Sequence, residues 1–472
     1  MTGAPIIARH RPVALGAADL RARIGGWREP ALLGGDRRFG AAGRWSLLAA
    51  RPRLVFESAS GRGWRIAADA IEESGDGDAL ERMATLLDRW NLGGSQPTGL
   101  DEAVPFQGGL IGFLAYDLAP LIERLPRRCP PDSRLPVIRF GLYDTFVLVD
   151  HQRDEADLWA VDLLGEGERA VRDRLDAWSA DLGAAPLSPR TLIPPGPVVA
   201  DQSRADYLAR VTQAQRYIQA GDIFQVNLSQ RFTVSGRLDS LALDHRLRAS
   251  SPAPYAAYLQ WDDLAILSVS PELFYETRGR QIMTRPIKGT RPRSLNPQLD
   301  AALAAELVAS PKDQAELTMI VDLERNDLGR VCEFGSVQVS DPRSVESYPN
   351  VHHTVATVVG RLRAEVRPVD VVRALFPGGS ITGAPKIRAM EIIDELEPCR
   401  RGIYTGAIGY WSANGRSAFN IAIRTLLVEG DRTTYHVGGG IVADSDPLAE
   451  YQETLDKGRN LFATLTRLGT HS

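Results

Sequence analysis

The 472-residue chain is 44% hydrophobic and 24% charged, an ordinary globular composition with the length of one large or two ordinary domains. Its net charge of −4 and scattered arginines, with no basic run carrying interleaved aromatics, exclude a nucleic-acid binder and an anionic-membrane binder. The three cysteines form no C-x-x-C, and the chain has neither a signal-peptide core nor a run of about 18 apolar residues, which excludes a disulfide or zinc scaffold and a membrane span and points to the cytoplasm.

Residues 1–185 mix short apolar runs with turn residues. The stretch 43–58 reads as two strands and 138–152 as one more, while 77–91 and 166–182 have helical periodicity. A stretch with five prolines, 183–203, is the best linker; it separates an N-terminal segment, 1–185, from a second region, 203–465. Ser203 and Asp206 then make a capping-box start for a helix with Tyr207, Val211, Ala214 and Ile218 on one face and Gly221 as its stop. Strands are expected at 223–234, 264–287, 406–412, 417–430 and 433–443, and helices at 296–310, 312–329, 368–376, 385–396 and 447–468. Hairpin-like runs such as 406–443 favour an antiparallel α+β fold over a doubly wound parallel sheet.

The segment TRPIKGTRPR, 284–293, holds Lys288 between two prolines with a glycine directly after it. Proline restricts the backbone and glycine frees it, a frame that a solvated lysine does not need. The plainer reading is a basic turn with Arg285, Arg291 and Arg293. Upstream, Glu272 falls in an apolar strand, where a carboxyl tends to a raised pKa and can act as an acid.

Helix 312–329 sets Asp313 and Glu316 at i and i+3, with Met319, Ile320 and Leu323 for packing. The last helix does the same with Glu450 and Glu453, and Leu448, Tyr451 and Leu455 lie on its other side. The pairs are either solvated acidic faces, with Glu453 bonded to Lys457, or two halves of a site for a hard divalent cation. Over 417–426, Phe419, Ile421 and Ile423 alternate with Asn420, Ala422 and Arg424, which makes Arg424 either a fork for a carboxylate or an exposed edge arginine. The histidine pair in YPNVHHTVA is structural or catalytic. The glycine-rich stretches 108–113, 376–386 and 436–445 match no nucleotide motif, but such turns beside a helix start offer amides to an anion.

SPELF, TRPIKGTRPR, AELTMIVDLERNDLGRV, YPNVHHTVA, FPGGSITGAPKIRAMEIIDELEP, RGIYTGAIGYW, NIAIRT and GGGIVADSDPLAEYQET occur in this order. Together they resemble the chorismate-utilising enzymes: anthranilate synthase component I, aminodeoxychorismate synthase component I, and the isochorismate and salicylate synthases. The match is dense over 203–465, and ALLGGD…GRWSLLAARP and PFQGGLIGFLAYD echo the amidotransferase-dependent members more loosely. Lys288 stands where the anthranilate, isochorismate and salicylate enzymes have alanine and the aminodeoxychorismate branch has lysine. Gln225 stands where isochorismate-type enzymes carry a water-activating lysine. The resemblance is therefore to the aminodeoxychorismate branch, with anthranilate synthase component I or a non-catalytic chorismate-binding subunit as alternatives.

The resemblance implies a single α+β unit of two large, mostly antiparallel sheets packed together with helices outside, in which 183–203 is an internal connector. It implies conversion of chorismate and ammonia to 4-amino-4-deoxychorismate in the para-aminobenzoate and folate pathway. Lys288 would add to the ring and Glu272 would protonate the departing hydroxyl. Mg²⁺ would rest on Glu316 and Glu453, with Asp313 and Glu450 acting through water or from behind. Arg424, Tyr404 and the amides of Gly438, Gly439 and Gly440 would hold the side-chain carboxylate of chorismate; Ser380 and Thr382 would lie near the ring carboxylate and His353 near the ring hydroxyl. Gln225 supplies no base for water. Ammonia would come from glutamine through a separate glutamine amidotransferase subunit, because Cys129, Cys332 and Cys399 sit in no amidotransferase motif.

Overall fold

The computed structural model describes residues 6–68, 71–90, 92, 104–184, 196–349 and 351–466. Of the proline-rich stretch, residues 185–195 lie outside the described residues, as do the ends of the helices expected at 77–91 and 447–468.

Two twelve-stranded sheets make an α+β fold. In the first, Ala31–Gly34, Tyr255–Trp261, Leu264–Ser270, Thr425–Glu429, Arg432–Ile441 and Gln225–Ser235 run side by side. In the second, Ile287–Pro292, Val351–Arg361, Gln281–Arg285, Leu273–Arg278, Ser417–Ile421, Ala407–Ser412, Gly109–Leu114 and Ile138–Tyr143 do so. Neighbouring strands in both are antiparallel. Both sheets take strands from before and after the proline-rich stretch. The largest apolar cluster joins Leu33, Leu47 and Ile266 of one sheet to Phe56, Phe140, Ile408 and Phe419 of the other. The helices Glu168–Gly183 and Pro447–Thr466 close a second cluster on the outer face of the first sheet, around Leu175, Trp178, Leu461 and Leu465.

Three stretches that read as single strands are divided between the sheets. The stretch 138–152 is Ile138–Tyr143 in the second sheet and Thr145–Asp150 in the first, with buried Asp144 at the change held by Arg53 at 2.9 Å. The stretch 264–287 is Leu264–Ser270, Leu273–Arg278 and Gln281–Arg285, and crosses at Pro271–Glu272. The stretch 417–430 is Ser417–Ile421 and Thr425–Glu429, and its alternation ends where Arg424 takes φ +51°. The apolar pattern runs on through each crossing because residues on both sides are buried, so periodicity cannot mark the break.

Two smaller expectations also change. In the last helix the packed stripe is Glu450, Thr454, Gly458, Leu461 and Leu465, while Leu448 is 49% exposed. Gly458 lets that helix approach Val437 of the first sheet. The glycines of GGLIGF serve close strand packing rather than an anion: a Cβ on Gly112 would stand 1.9 Å from the Arg139 carbonyl oxygen. The helix Arg204–Gln219 starts with the expected reciprocal Ser203–Asp206 box. Among the described residues no helix is long and apolar enough to cross a membrane.

Candidate active site

Lys288 sits on a bulge. Ile287–Pro292 pairs with Val351–Arg361 so that Lys288 faces Thr354 and Thr290 faces His353, leaving Gly289 as the extra residue. Gly289 has φ +73°, and a Cβ there would lie 2.8 Å from Leu307 Cδ1 and 2.9 Å from Asp313 Cγ. The bulge aims the lysine inward, where Nζ donates to the Ser380 carbonyl at 3.2 Å. The neighbouring arginines are spent on acids: Arg285 on Glu346, Arg291 on Glu306 and Asp313, Arg293 on Asp300. Lys288 itself makes no ion pair among the described residues. Burial lowers its pKa, opposed by Glu316, Glu272 and Glu453 and assisted by Lys457.

Glu272 lies in a sheet crossing rather than in a strand and is 4% exposed. Its Oε1 accepts the Ile287 amide at 3.4 Å. Burial pushes the carboxyl up; Ser380, Lys288, the Ile287 amide and Arg424 pull it down. The Ser380 hydroxyl does this by proximity, without the geometry of a full hydrogen bond. Ser380 thus stands between an amine whose charge is disfavoured and an acid whose charge is disfavoured, opposite shifts that suit a nucleophile and a proton donor.

The Arg424 guanidinium is largely buried and has no hydrogen bond or ion pair among the described residues; burial lowers its pKa and Glu272 opposes that. It is therefore not an exposed edge arginine. His353, 2% exposed, meets Thr290 Oγ1 at 3.0 Å through Nδ1, and its buried Nε2 has no partner. Burial and then Arg424 bring its pKa to about 3, so the ring is neutral. His352 is placed differently, bonded to Ser347 at 2.8 Å and Asp300 at 3.0 Å.

The acidic residues come from the two expected helices. Glu316 is pushed up by burial and by neighbouring Asp313 and Glu453, and Glu450, 4% exposed, is pushed up by burial and by Glu453 while accepting the Ser445 hydroxyl at 2.6 Å. Glu453 is pulled down by Lys457 at 2.7 Å. Asp313 faces Gly289 and pairs with Arg291 at 3.2 Å. Among the described residues no three His, Cys, Asp or Glu side chains form a ready metal cage. Magnesium fits this donor set all the same: it takes one or two carboxylate oxygens and fills its shell from water and substrate, and a cation would relieve the mutual repulsion that raises Glu316 and Glu450.

The glycine strand, Arg432–Ile441 with Gly438, Gly439 and Gly440, closes the site. Its pairing with Thr425–Glu429 stops at Tyr435, so beyond it alternate amides of the Gly438–Gly440 region face an edge that no described strand covers. A Cβ on Gly439 would stand 3.2 Å from Glu450 Oε2 and 3.7 Å from Glu453 Oε1, and one on Gly438 would stand 2.8 Å from the Tyr404 hydroxyl. Gln225 packs its amide over Gly440 and keeps a buried Oε1 without a partner. Thr382 turns its hydroxyl back on the Gly378 carbonyl at 3.0 Å, which leaves Ser380 as the residue of that turn that meets Lys288.

Sequence reasoning gives Lys457 only a helix-stabilising part, yet its amine also donates to the Gly438 carbonyl at 3.1 Å. It misses the buried pair of Arg401 and Glu397, 2.8 Å apart, which ties the Ile381 carbonyl at 3.0 Å and the Asn227 carbonyl at 2.8 Å to one guanidinium. The available signal was an arginine four residues after an acid, just past the end of the helix Lys386–Leu396. A cavity of about 840 Å³ lined by Trp45, Tyr255, Tyr410 and Phe419 takes none of these residues into its wall.

A family described as chorismate binding enzyme matches residues 48–463. Aminodeoxychorismate synthase component 1 of Klebsiella aerogenes is 47% identical over 362 residues, 77% of this chain and 78% of that one. The protein of the same name from Escherichia coli K12 is 43% identical over 390 residues, 83% of each chain. Among solved structures, anthranilate synthase component I from Streptococcus pneumoniae TIGR4 superposes with a TM-score of 0.79 at 32% identity, covering 90% of this chain and 92% of that one.

Proposed function

The chain belongs to the family of chorismate binding enzymes, and on that premise we propose that it aminates chorismate to 4-amino-4-deoxychorismate. It is a chorismate-utilising enzyme; what singles out this reaction is the placement of Lys288, an inward-aimed amine beside a buried acid. As a neutral amine Lys288 adds to C2 of the ring, both ring double bonds shift by one position toward C4, and the C4 hydroxyl leaves as water with the proton of Glu272. Ammonia then attacks C4, both double bonds return, the C2–N bond breaks to release Lys288 as a neutral amine, and the surplus proton of the new amine restores Glu272. No pyruvate is lost. The bulge holds the amine at one carbon, and positioning of that kind is worth several kcal/mol.

Arg424 has the charge, the burial and the empty fork to take one carboxylate of the substrate. Tyr404, beside Gly438, and the amides of Gly438–Gly440 would share in holding it. Glu316 and Glu453 would hold Mg²⁺, with Asp313 and Glu450 in support. Bound there, Mg²⁺ would neutralise the ring carboxylate and make the ring a better electron acceptor. Neutral His353, whose Nε2 has no partner, would turn that nitrogen toward the ring hydroxyl.

The relatives' names call them component 1, which supports a second component; in this reading that partner is a glutamine amidotransferase supplying ammonia, in the cytoplasm, for the folate pathway. The test is product analysis with chorismate, Mg²⁺ and ammonium at alkaline pH. The expected product is 4-amino-4-deoxychorismate, with glutamine inert for the single chain. Anthranilate as the product would overturn the assignment.

A further inference from the structure

The helix Pro311–Gly329 buries Leu317, Ile320, Glu324, Asp327 and Leu328. Glu324 is a carboxylic acid on the stripe made by Leu317, Ile320 and Leu328; it is 4% exposed and no step above uses it. It stands behind the turn that receives Lys288. A Cβ on Gly379 would lie 2.5 Å from Leu323 Cδ2 and 3.4 Å from Glu324 Oε1, so helix and turn are in direct contact there. The Gly379 backbone thus lies close to the carboxyl, and its amide pulls the Glu324 pKa down against burial and Asp327. The next residue is Ser380, whose carbonyl accepts from Lys288 and whose hydroxyl lies beside Glu272.

The rest of the turn is gripped at its ends. Lys386, paired with Asp327, donates to the Leu375 carbonyl at 3.0 Å. Arg401 holds the Ile381 carbonyl, and the Asn227 amide holds that of Thr382 at 2.8 Å. Glu324 meets the turn between these grips, one residue before Ser380.

We propose that Glu324 is a positioning residue for the amination: by meeting the Gly379 amide it sets Ser380 against both Lys288 and Glu272. The charged groups facing it are Asp327 on its own helix, Lys386 from the helix Lys386–Leu396 and Glu272 from the sheet crossing. Burial and then Asp327 hold it protonated, which keeps a further negative charge out of the wall of the site. The roles of Lys288 and Glu272 are those of the reaction proposed above.

The test compares Glu324→Gln, which keeps a neutral hydrogen-bonding group, with Glu324→Leu, which keeps the volume. In the whole chain at pH 7.5, the leucine variant is expected to lose about tenfold in kcat, the worth of one hydrogen bond, with KM for chorismate little changed. The glutamine variant is expected to keep the wild-type kcat and to lack the alkaline fall that ionisation of Glu324 gives the wild type. Arylation of Lys288 by fluorodinitrobenzene without chorismate, followed by peptide mass, is expected to speed up in the leucine variant and not in the glutamine variant. Equal behaviour of the two variants in kcat and arylation, or wild-type values in both, overturns the proposal. If Glu324→Leu does not fold, loss of activity in a folded Glu324→Gln overturns it. Arylation needs no turnover, so a wild type that forms another product would refute the proposed reaction while the arylation comparison still decides Glu324.

Discussion

Glu272 and Arg424 stand side by side at the two places where neighbouring strands leave one sheet for the other. Ile421 donates its amide to the Glu272 carbonyl at 3.1 Å, and Val269 donates to the Arg424 carbonyl at 3.1 Å. The acid and the guanidinium proposed to bind an anion are thus held by one backbone lattice, so in the proposed reaction a carboxylate on Arg424 would have a fixed relation to the proton on Glu272.

Arg424→Gln is expected to raise KM for chorismate by about 10- to 100-fold, the worth of hydrogen bonds to a charged group. Its Tm is expected to equal or exceed that of the wild type, because the change removes a buried cation that no described acid pairs. Steady-state kinetics and thermal denaturation read both. An unchanged KM would mean that the carboxylate is held elsewhere.

Lys288→Met is expected to abolish the adduct that acid quenching of wild-type turnover traps on the peptide containing residue 288. The rate is expected to fall by orders of magnitude, since a tethered nucleophile is lost, while chorismate still binds. Near-normal formation of 4-amino-4-deoxychorismate by this variant would remove Lys288 from the chemistry.

Glu316→Gln and Glu453→Gln test the metal assignment by binding rather than by rate. Mg²⁺ that binds only the folded chain raises Tm, and each variant is expected to shrink that increment. Calorimetric Mg²⁺ affinity provides a second reading. A full Mg²⁺ increment in both variants would move the cation to other ligands.

The glycine strand gives a contrast between neighbours. Gly438→Ala puts a Cβ 2.7 Å from the Leu228 carbonyl, a backbone atom that cannot step aside, so Tm is expected to fall. Gly439→Ala puts it 3.2 Å from Glu450 Oε2 and 3.7 Å from Glu453 Oε1, the ends of flexible side chains. Its Tm is expected to stay near that of the wild type while Mg²⁺ affinity drops. The opposite order in Tm would show that the two residues face other surroundings.

Glu324 also has a signature in stability. Its pKa is raised from 4.5 to about 8, so between those values the folded chain holds a proton that the unfolded chain has released. Stability from this group is complete below pH 4.5 and declines as pH rises toward 8. Glu324→Gln removes the proton linkage, and its Tm is expected to fall less than that of the wild type over this range. Parallel Tm curves would show that the carboxyl is ionised when folded.

Much of the site was legible because its residues sit in contiguous motifs. The proline–lysine–glycine order of 286–289 reports a constrained bulge, and the i, i+3 acids of two helices do converge on one region. Arg424 was legible as a residue but not as a placement, because its alternating pattern continues through the change of sheet. The crossing at Asp144 was hidden for the same reason. Glu324 left a weaker trace, an acid on the helical stripe that includes Leu317, Ile320 and Leu328. The i, i+4 spacing of Glu397 and Arg401 was visible, but not its role, since its partners at Asn227 and Ile381 come together only in the folded chain.

The division of strands between the sheets has a consequence for the making of the chain. Gly109–Leu114 finds one neighbour in Ala407–Ser412, and Gln107 bonds Ser412 across 305 residues of sequence. At ribosomal speeds of ~5–20 residues per second, that early strand waits on the order of half a minute for its partner to be synthesised. Until then an apolar strand edge is open, and pairing over so long a loop is slow even afterwards. The nascent chain is therefore expected to need chaperone cover late in translation, and ribosome-bound fragments ending before residue 400 are expected to be far more sensitive to protease than the finished protein.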